Sequence, residues 1–364
     1  MADYDFLTVG CGMFGAVFAQ QMTERGKKVL VIEKRPHIGG NCYTESVENI
    51  NVHKYGPHIF HTSVDRAWEY INRFAEFNNF VNRPKVRYRD KLYSFPINLM
   101  TLYQLWGVRT PAEAARKLKH VAIPMSNPAN LEEWVLSQVG EEIYEIFIKG
   151  YTTKQWGKHP KELPASIMKR IPIRLHFDDN YYNDKYQGIP NGGYTKMFER
   201  MLEGIEVKLN TDYFADRHYW NSVGSTVVYT GKADEYFDYK FGELEYRGLR
   251  FESEVLQGDY QGNAVINYTE EQVPFTRITE HKLFEFKDCD KTVVTWEYPD
   301  DYDQSKIPYY PINNERNNRL YDLYRQETEK QERLLFGGRL ATYTYLDMDQ
   351  AIANALALAE RLRV

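Results

Sequence analysis

The sequence is poor in cysteine and contains no long hydrophobic run. Its three cysteines, Cys11, Cys42 and Cys289, are an odd number without metal-ligand spacing, so we expect a reducing compartment and no metal site. No stretch approaches the roughly eighteen consecutive apolar residues of a membrane-spanning helix. A strand-like run begins within five residues of the N-terminus, which leaves no room for a signal peptide. We therefore expect a cytoplasmic protein without a membrane span.

An excess of positive charge is also absent. The formal net charge of −5 argues against nucleic acid as a partner. With 364 residues, 43% hydrophobic and 27% charged, the chain has the composition of a globular protein of two or three domains. Tyrosine is abundant instead, with 29 residues, which suggests a site that recognises rings or sugars, although many tyrosines must be core residues.

The N-terminal segment has the pattern of a dinucleotide-binding βαβ unit. A strand-like run at 6–9 leads into Gly10, Gly12 and Gly15 in the spacing G-x-G-x-x-G. These glycines permit a tight turn, close approach to a pyrophosphate and close packing of the next helix, predicted over 13–25. A second strand at 29–32 ends at Glu33, whose carboxylate can accept hydrogen bonds from an adenosine ribose.

Three further segments favour FAD as the dinucleotide. A second glycine pair follows Glu33 in Gly39-Gly40-Asn41, which is typical of flavoproteins and unusual in simple NAD dehydrogenases. A strand at 226–231 ends in Thr-Gly, and a strand at 334–339 ends in Gly-Gly-Arg. A helix predicted to start near Asp347 offers its N-terminal dipole to a reduced flavin.

The remaining chain predicts an α/β fold with a split FAD-binding Rossmann-like domain, a helical insert and an antiparallel β-sheet domain. We assign 1–80, 190–238 and 312–364 to the FAD domain, 98–165 to the insert, and 82–97, 166–190 and 239–311 to the sheet domain. Caps at Asn98, Thr110 and Asn130 open the insert helices. Alternating segments between 244 and 294, including 282–287, indicate strands. Thr62 and Asp65 predict a capping box for a helix whose buried stripe extends to Phe77.

Several motifs together resemble the bacterial UDP-galactopyranose mutase family over essentially the full length. They are the glycine turn at 9–15, Gly-Gly-Asn at 39–41, GPHIFH at 56–61, YTTKQW at 151–156, and Gly-Gly-Arg at 337–339 with 343–349. The resemblance implies an isomerase that interconverts UDP-galactopyranose and UDP-galactofuranose without net redox. It also implies a reduced FAD whose N5 is the nucleophile at the anomeric carbon, a cellular flavin reductant, a homodimer, and a role in cell-surface polysaccharide biosynthesis.

The resemblance assigns residue roles as well. Arg170 and Arg277 would bind the two phosphates, and Tyr151 and Trp156 the uridine, while His61 would lie against the flavin. The implied substrate-binding residues also include Phe147, Thr152, Tyr181, Tyr310, Tyr345 and Asp347. The implied cofactor-binding residues are Gly10, Gly12, Phe14, Gly15, Glu33, Gly40, Asn41, Gly231, Arg339, Asp347 and Met348. We further expect the segment that carries Arg170 to close over a bound diphosphate.

Two other classes share these nucleotide signatures. A flavin-dependent amine oxidase or desaturase would need a more apolar substrate cage than residues 150–190 offer. A non-catalytic module like the GDP-dissociation inhibitors would lack FAD, and the intact Glu33 and glycine motifs argue against it. The colour of the purified protein separates the binding module from the flavoproteins.

Overall fold

The computed structural model describes residues 2–165 and 173–362, which form two compact units. The first unit comprises Met1–Asn79, Asp184–Gly248 and Tyr302–Val364, and the second comprises Phe80–Asn183 and Leu249–Asp301. The three-part division predicted from the sequence is finer than these two units and stays a prediction. None of the helices in the described ranges has both the length and the apolar character needed to cross a membrane.

The helices and strands are numbered in chain order. They are β1 (Tyr4–Val9), α1 (Met13–Glu24), β2 (Val29–Ile32), β3 (Thr44–Val47), β4 (Ile50–His53), β5 (Phe60–Thr62), α2 (Asp65–Ile71), β6 (Lys85–Tyr88), β7 (Lys91–Ser94), α3 (Leu99–Trp106), α4 (Pro111–Val121), α5 (Leu131–Ile143), α6 (Gly150–Trp156), β8 (Tyr186–Gly188), α7 (Tyr194–Met201), β9 (Glu206–Lys208), α8 (Arg217–Val223), β10 (Gly224–Tyr229), α9 (Ala233–Tyr236), β11 (Tyr246–Gln257), β12 (Val265–Tyr268), β13 (Arg277–Glu280), β14 (Lys291–Asp301), β15 (Tyr310–Pro311), α10 (Glu315–Glu329), β16 (Leu334–Phe336), α11 (Gly338–Ala341) and α12 (Met348–Arg361).

The first unit is organised around a five-stranded parallel sheet in the order β16-β10-β1-β2-β9. Leu7 and Leu30, which are paired in register, and Val31 are fully buried, as expected for a parallel sheet covered on both faces. Helices α1, α7 and α12 contribute to one hydrophobic cluster with the sheet. The predicted Rossmann-like core is confirmed, including the two late strands: β10 pairs with β1, and β16 pairs with β10.

The second unit combines α3–α6 with a sheet. Asn98, Thr110 and Asn130 each accept a backbone hydrogen bond from the first turn of the helix that follows, as predicted. A π-helical turn at Tyr144–Lys149 separates α5 from α6. The strands of this unit lie in the order β11-β14-β13-β12-β6-β7, and the predicted antiparallel sheet is confirmed with one parallel pair, β6 with β12.

Two local predictions are wrong. Thr62 belongs to β5 and does not cap α2: its hydroxyl accepts the backbone N–H of Val64, which precedes the helix, at 3.0 Å and donates to Asp349 of α12 at 2.9 Å. Helix α2 has no side-chain cap and ends at Ile71, before Phe77. The segment that includes 282–287 starts with a 3₁₀ turn, His281–Glu285, and is not a strand. Its Lys282 is buried and forms an ion pair with Asp259 at 2.5 Å, which alternation of apolar residues could not reveal.

Glu280, at the end of β13, generates a stability prediction. Its buried carboxylate accepts backbone hydrogen bonds from Tyr260 at 2.9 Å, Gln261 at 2.9 Å and Gly262 at 3.2 Å. Glu280→Gln places an amide group against these donors, so we expect it to lower the free energy of unfolding by about 1.5–3 kcal/mol. Urea denaturation measures this, with Glu254→Gln on the exposed part of β11 as the control. Equal midpoints for both variants would contradict the prediction.

Candidate functional site

Gly10 and Gly15, at the two ends of the glycine pattern between β1 and α1, leave no room for a side chain, whereas Gly12 leaves room for one. Gly10 has φ +102°, and a Cβ there would lie 2.0 Å from the Thr230 hydroxyl oxygen. A Cβ on Gly40 would lie 2.9 Å from the Cα of Gly12, so the two glycine motifs meet backbone to backbone. A Cβ on Gly12 would have one neighbour, 4.0 Å away. Open space therefore lies in front of Gly12, at the N-terminus of α1, which has no side-chain cap.

Glu33 is bound through both carboxylate oxygens, one to the glycine turn and one to the segment after β2. Oε2 accepts the backbone N–H of Cys11 at 2.8 Å, and Oε1 accepts that of Arg35 at 2.9 Å. Each oxygen retains a lone pair that can accept a ribose hydroxyl. Arg35 was not among the residues predicted from the sequence to bind the cofactor. Its Nη1 is buried without a hydrogen-bond partner among the described residues, and its guanidinium lies 4.6 Å from the centre of the Tyr55 ring. Its position two residues after Glu33 was the available signal.

The residues that follow the late strand β16 lie against helix α1. A Cβ on Gly337 would lie 2.1 Å from the Phe14 ring, so the Gly-Gly pair lets α1 pack against the end of β16. Arg339 follows in α11, and its charge partly offsets the burial that raises the pKa of the Cys42 thiol to about 12. Arg339 therefore lies near the 39–42 turn, and its contact with a cofactor stays a prediction. Gly231 is required locally, because a Cβ there would lie 2.3 Å from the Tyr229 hydroxyl.

His61 is held by a carboxylate. It lies on β5, paired in register with Gln187 of β8, and its Nδ1 is 2.7 Å from Asp184 Oδ2. The other oxygen of Asp184 accepts the Ser63 hydroxyl at 2.7 Å. The pair with Asp184 fixes the ring of His61, and it could not be predicted from local patterns because 123 residues separate the partners.

Two predicted tyrosines of the first unit lie together. The ring centres of Tyr310 and Tyr345 are 6.0 Å apart, and Tyr345 is exposed. Arg247, a cation that the sequence analysis did not select, is 8% exposed and pairs with Tyr310 in register between β11 and β15. Asp347 is the N-cap residue of α12, where the helix was predicted to start.

In the second unit, Arg277 connects a buried carboxylate to a tyrosine. Its Nε lies 3.1 Å from Glu297 Oε1, and its Nη2 donates to the Tyr151 hydroxyl at 2.9 Å. Burial raises the pKa of Glu297, and the positive charge of Arg277 and a hydrogen bond from Thr276 partly offset that rise. Burial also raises the pKa of Tyr151, and Tyr181 is close enough to add to the effect. Three predicted residues are thus brought together.

The other predicted residues of this unit differ in exposure. Phe147 and Thr152 are each 3% exposed. Phe147 stacks on Phe95 and contacts Tyr93 edge to face, so its demonstrated role is in the core, and contact with a ligand stays a prediction. Trp156, the last residue of α6, is only partly buried. Arg170 and the segment predicted to close lie outside the described residues.

Comparison with known proteins identifies the family. The model of the UDP-galactopyranose mutase family matches residues 146–345, and the model of the NAD(P)-binding Rossmann-like domain matches residues 8–74. A probable UDP-galactopyranose mutase of Klebsiella pneumoniae is 42% identical over 99% of this chain and 95% of its own length. The chain belongs to the UDP-galactopyranose mutase family. The resemblance seen in the motifs is confirmed.

Two further comparisons concern a relative with a different substrate in its name and a solved structure of the family. A dTDP-fucopyranose mutase of Escherichia coli is 39% identical over 97% of both chains. A crystal structure of reduced UDP-galactopyranose mutase has a TM-score of 0.78 over 99% of this chain and 95% of its own, at 15% identity. The structural match shows the shared fold. The curated relatives favour an isomerase over the oxidase and the non-catalytic module considered from the sequence.

The Arg277–Glu297 pair generates a prediction about stability. Arg277→Ala leaves the buried carboxylate of Glu297, which is 2% exposed, without its cation. We expect a loss of about 3 kcal/mol in the free energy of unfolding, the low end for breaking a buried pair, because the Arg277 side chain is 22% exposed. Urea denaturation of Arg277→Ala and of the double variant with Glu297→Gln measures it.

The double variant is the control for this prediction. Glu297→Gln removes the buried charge, so it should recover most of the stability that Arg277→Ala loses. If the single and double variants unfold at the same urea concentration, Arg277 does not compensate the charge of Glu297.

Proposed function

We propose that the protein interconverts UDP-galactopyranose and UDP-galactofuranose by ring contraction without net redox. The observation that carries this proposal is the 42% identity with a probable UDP-galactopyranose mutase over nearly the whole of both chains. Two of the residues that the family resemblance implies, Arg277 and Tyr151, are joined by a hydrogen bond in the second unit.

The proposed cofactor is FAD. Glu33 would bind the adenosine ribose, the space in front of Gly12 would take the pyrophosphate, and Arg35 has a buried guanidinium nitrogen able to donate to the cofactor. Asp347 and Met348, at the start of α12, would lie toward the flavin with Arg339 and His61. When bound and reduced, FAD supplies the nucleophile for the anomeric carbon, so the protein needs no covalent residue of its own.

The protein's own task would be to bind and orient the nucleotide sugar and to stabilise the departing diphosphate. A cationic donor aimed at the phosphate oxygens stabilises the negative charge that grows as the anomeric C–O bond breaks. We assign this role to Arg277 and to Arg170. Glu297 would keep the Arg277 guanidinium in one orientation through its Nε, which leaves other nitrogens of the fork for phosphate.

Aromatic residues would hold the remainder of the substrate. Tyr151 and Trp156, on α6, would bind the uridine, together with Phe147 and Thr152. Tyr181, Tyr310 and Tyr345 would donate hydrogen bonds to the diphosphate or the sugar. These roles rest on the family resemblance, and the grouping of Tyr151, Tyr181 and Arg277 supports them for the second unit.

The relative that is named dTDP-fucopyranose mutase supports a second candidate, because its identity of 39% is close to that of the first relative. A dTDP-sugar differs from a UDP-sugar by a methyl group on the base and a missing ribose hydroxyl, and fucose lacks the 6-hydroxyl group of galactose. The two candidates share the reaction and differ in the substrate. We also propose a homodimer, a cytoplasmic location, a cellular flavin reductant and a role in cell-surface polysaccharide synthesis, in keeping with the family.

The proposed cofactor generates the first prediction. Purified wild-type protein should be yellow with about one FAD per chain, and Gly12→Val should lose the FAD, because its side chain fills the space proposed for the pyrophosphate. Absorbance of the released flavin measures this. Gly107→Ala, at a φ of +69° with no atom within 4 Å of the added Cβ, controls for glycine replacement and should keep FAD. Stoichiometric FAD in folded Gly12→Val would disprove the proposed pyrophosphate site in front of Gly12.

The proposed reaction generates the second prediction. Protein reduced with dithionite should convert UDP-galactofuranose to UDP-galactopyranose over many turnovers without consuming further reductant, and oxidised protein should be inactive. Chromatography of the products measures the rate. A kcat/KM for dTDP-fucofuranose more than tenfold higher than that for UDP-galactofuranose would favour the second candidate. Consumption of one reductant per product would instead indicate an oxidoreductase.

A further inference from the structure

Helix α6 touches the connection between β12 and β13 directly with its backbone. A Cβ on Gly150, the first residue of α6, would lie 2.1 Å from the carbonyl oxygen of Thr269 and 3.0 Å from the backbone nitrogen of Glu271. Any side chain at this position would push the connection away from the helix. The close approach is therefore specific to glycine at the start of α6.

Lys154, one helical turn later, binds the same connection. Its Nζ donates to the carbonyl oxygens of Tyr268 at 2.8 Å, Val273 at 3.0 Å and Phe275 at 2.8 Å. An ammonium group has three hydrogens, and each of them has a carbonyl acceptor here. One side chain thus joins both ends of the 269–276 connection to α6.

This attachment lies next to the residues proposed to bind the diphosphate. Phe275 precedes Arg277 by two residues, and Tyr151 precedes Lys154 by three, which places Tyr151 and Lys154 on one side of α6. The hydrogen bond from Arg277 to Tyr151, at 2.9 Å, is a second link between the same helix and the strand that follows the connection. Movement of the connection would therefore change the position of Arg277 relative to Tyr151.

We propose that Lys154 is a positioning residue for binding of the nucleotide diphosphate: its ammonium group fixes the 269–276 connection on α6 and so keeps Arg277 aligned with Tyr151. The inference rests on the proposed function, because it takes the diphosphate as the ligand of Arg277. Lys154 itself makes no contact with the substrate in this account. Its effect on binding passes through Phe275 and Arg277.

The ammonium group is sensitive to pH in the alkaline range. Burial lowers the pKa of Lys154 to about 8, although the charges of Glu270 and Glu271 on the same connection favour the protonated form. A neutral amine has two hydrogens for three carbonyl acceptors, so the attachment weakens as pH rises through 8.

Among the described residues, the neighbouring lysine and tyrosines with a shifted pKa, which are Lys149, Tyr151 and Tyr268, have that pKa raised, away from pH 8. Lys149 and Glu145, on the π-helical turn, form an ion pair at 2.8 Å that raises the pKa of the lysine. Burial raises the pKa of Tyr151, and Arg277 remains paired with Glu297. A change in diphosphate binding near pH 8 would therefore be assigned to Lys154.

Binding of UDP to the full-length protein loaded with FAD tests the proposal. Isothermal titration between pH 6.8 and 9.5 should show wild-type affinity falling about tenfold, the effect of losing one charge-assisted hydrogen bond, with a midpoint near pH 8. Lys154→Met should bind about tenfold more weakly at pH 7 and lack the fall centred near pH 8, leaving only the loss at higher pH that ionisation of the uracil N3–H causes in every variant. The matched control, Lys158→Met, removes an exposed lysine just beyond α6 and should follow the wild-type curve.

Each other outcome counts against the proposal. An unchanged pH dependence in Lys154→Met would assign the titration to another group, and a wild-type affinity without the fall near pH 8 would overturn the role of Lys154, even if the variant does not fold. Wild-type protein that keeps FAD but binds no UDP at any pH would overturn the proposed function, and this inference with it. Turnover of the reduced enzyme at pH 7 distinguishes these cases, because loss of positioning should raise KM more than it lowers kcat.

Discussion

A buried carboxylate that needs a cation is the constraint on which the candidate substrate site depends. Glu297 is 2% exposed, and without a positive neighbour its ionised form would be strongly disfavoured. Arg277 meets that need through its Nε and donates its Nη2 to the Tyr151 hydroxyl. The orientation of Arg277 is therefore set by the interior of the sheet. A donor held in this way needs little reorganisation when negative charge develops on a phosphate.

In the first unit, the constraint is that the backbone of the glycine turns must allow a dinucleotide cofactor to approach closely. Gly40 comes close to Gly12 because Gly40 has no side chain, and Glu33 is fixed by two backbone N–H groups. The proposed cofactor site is thus formed largely by main-chain atoms that the fold of β1, α1 and β2 already orders. This explains why a short glycine pattern is informative about function, whereas isolated glycines elsewhere are not.

Features encoded by neighbouring residues could be predicted from the sequence, and features encoded by distant partners could not. The βαβ unit and the helix caps at Asn98, Thr110 and Asn130 depend on residues a few positions apart, and they are confirmed. Thr62 looked like a cap, but its hydroxyl binds Asp349, which is 287 residues away. The partners of His61 and Lys154 are separated from them by more than a hundred residues as well. The resemblance in the motifs predicted Arg277 and Tyr151, but no sequence pattern predicted the roles of Glu297 and Lys154 beside them.

The central claim is that the anomeric C–O bond of the nucleotide sugar breaks and re-forms on the reduced enzyme. An ¹⁸O label placed in the bridging position between the anomeric carbon and the β-phosphate of UDP-galactopyranose tests this most directly. Cleavage frees the β-phosphate to rotate, so nuclear magnetic resonance should show the label moving to non-bridging positions at least as fast as the product forms, and only with reduced protein. A label that stays in the bridging position while UDP-galactofuranose accumulates would contradict the account.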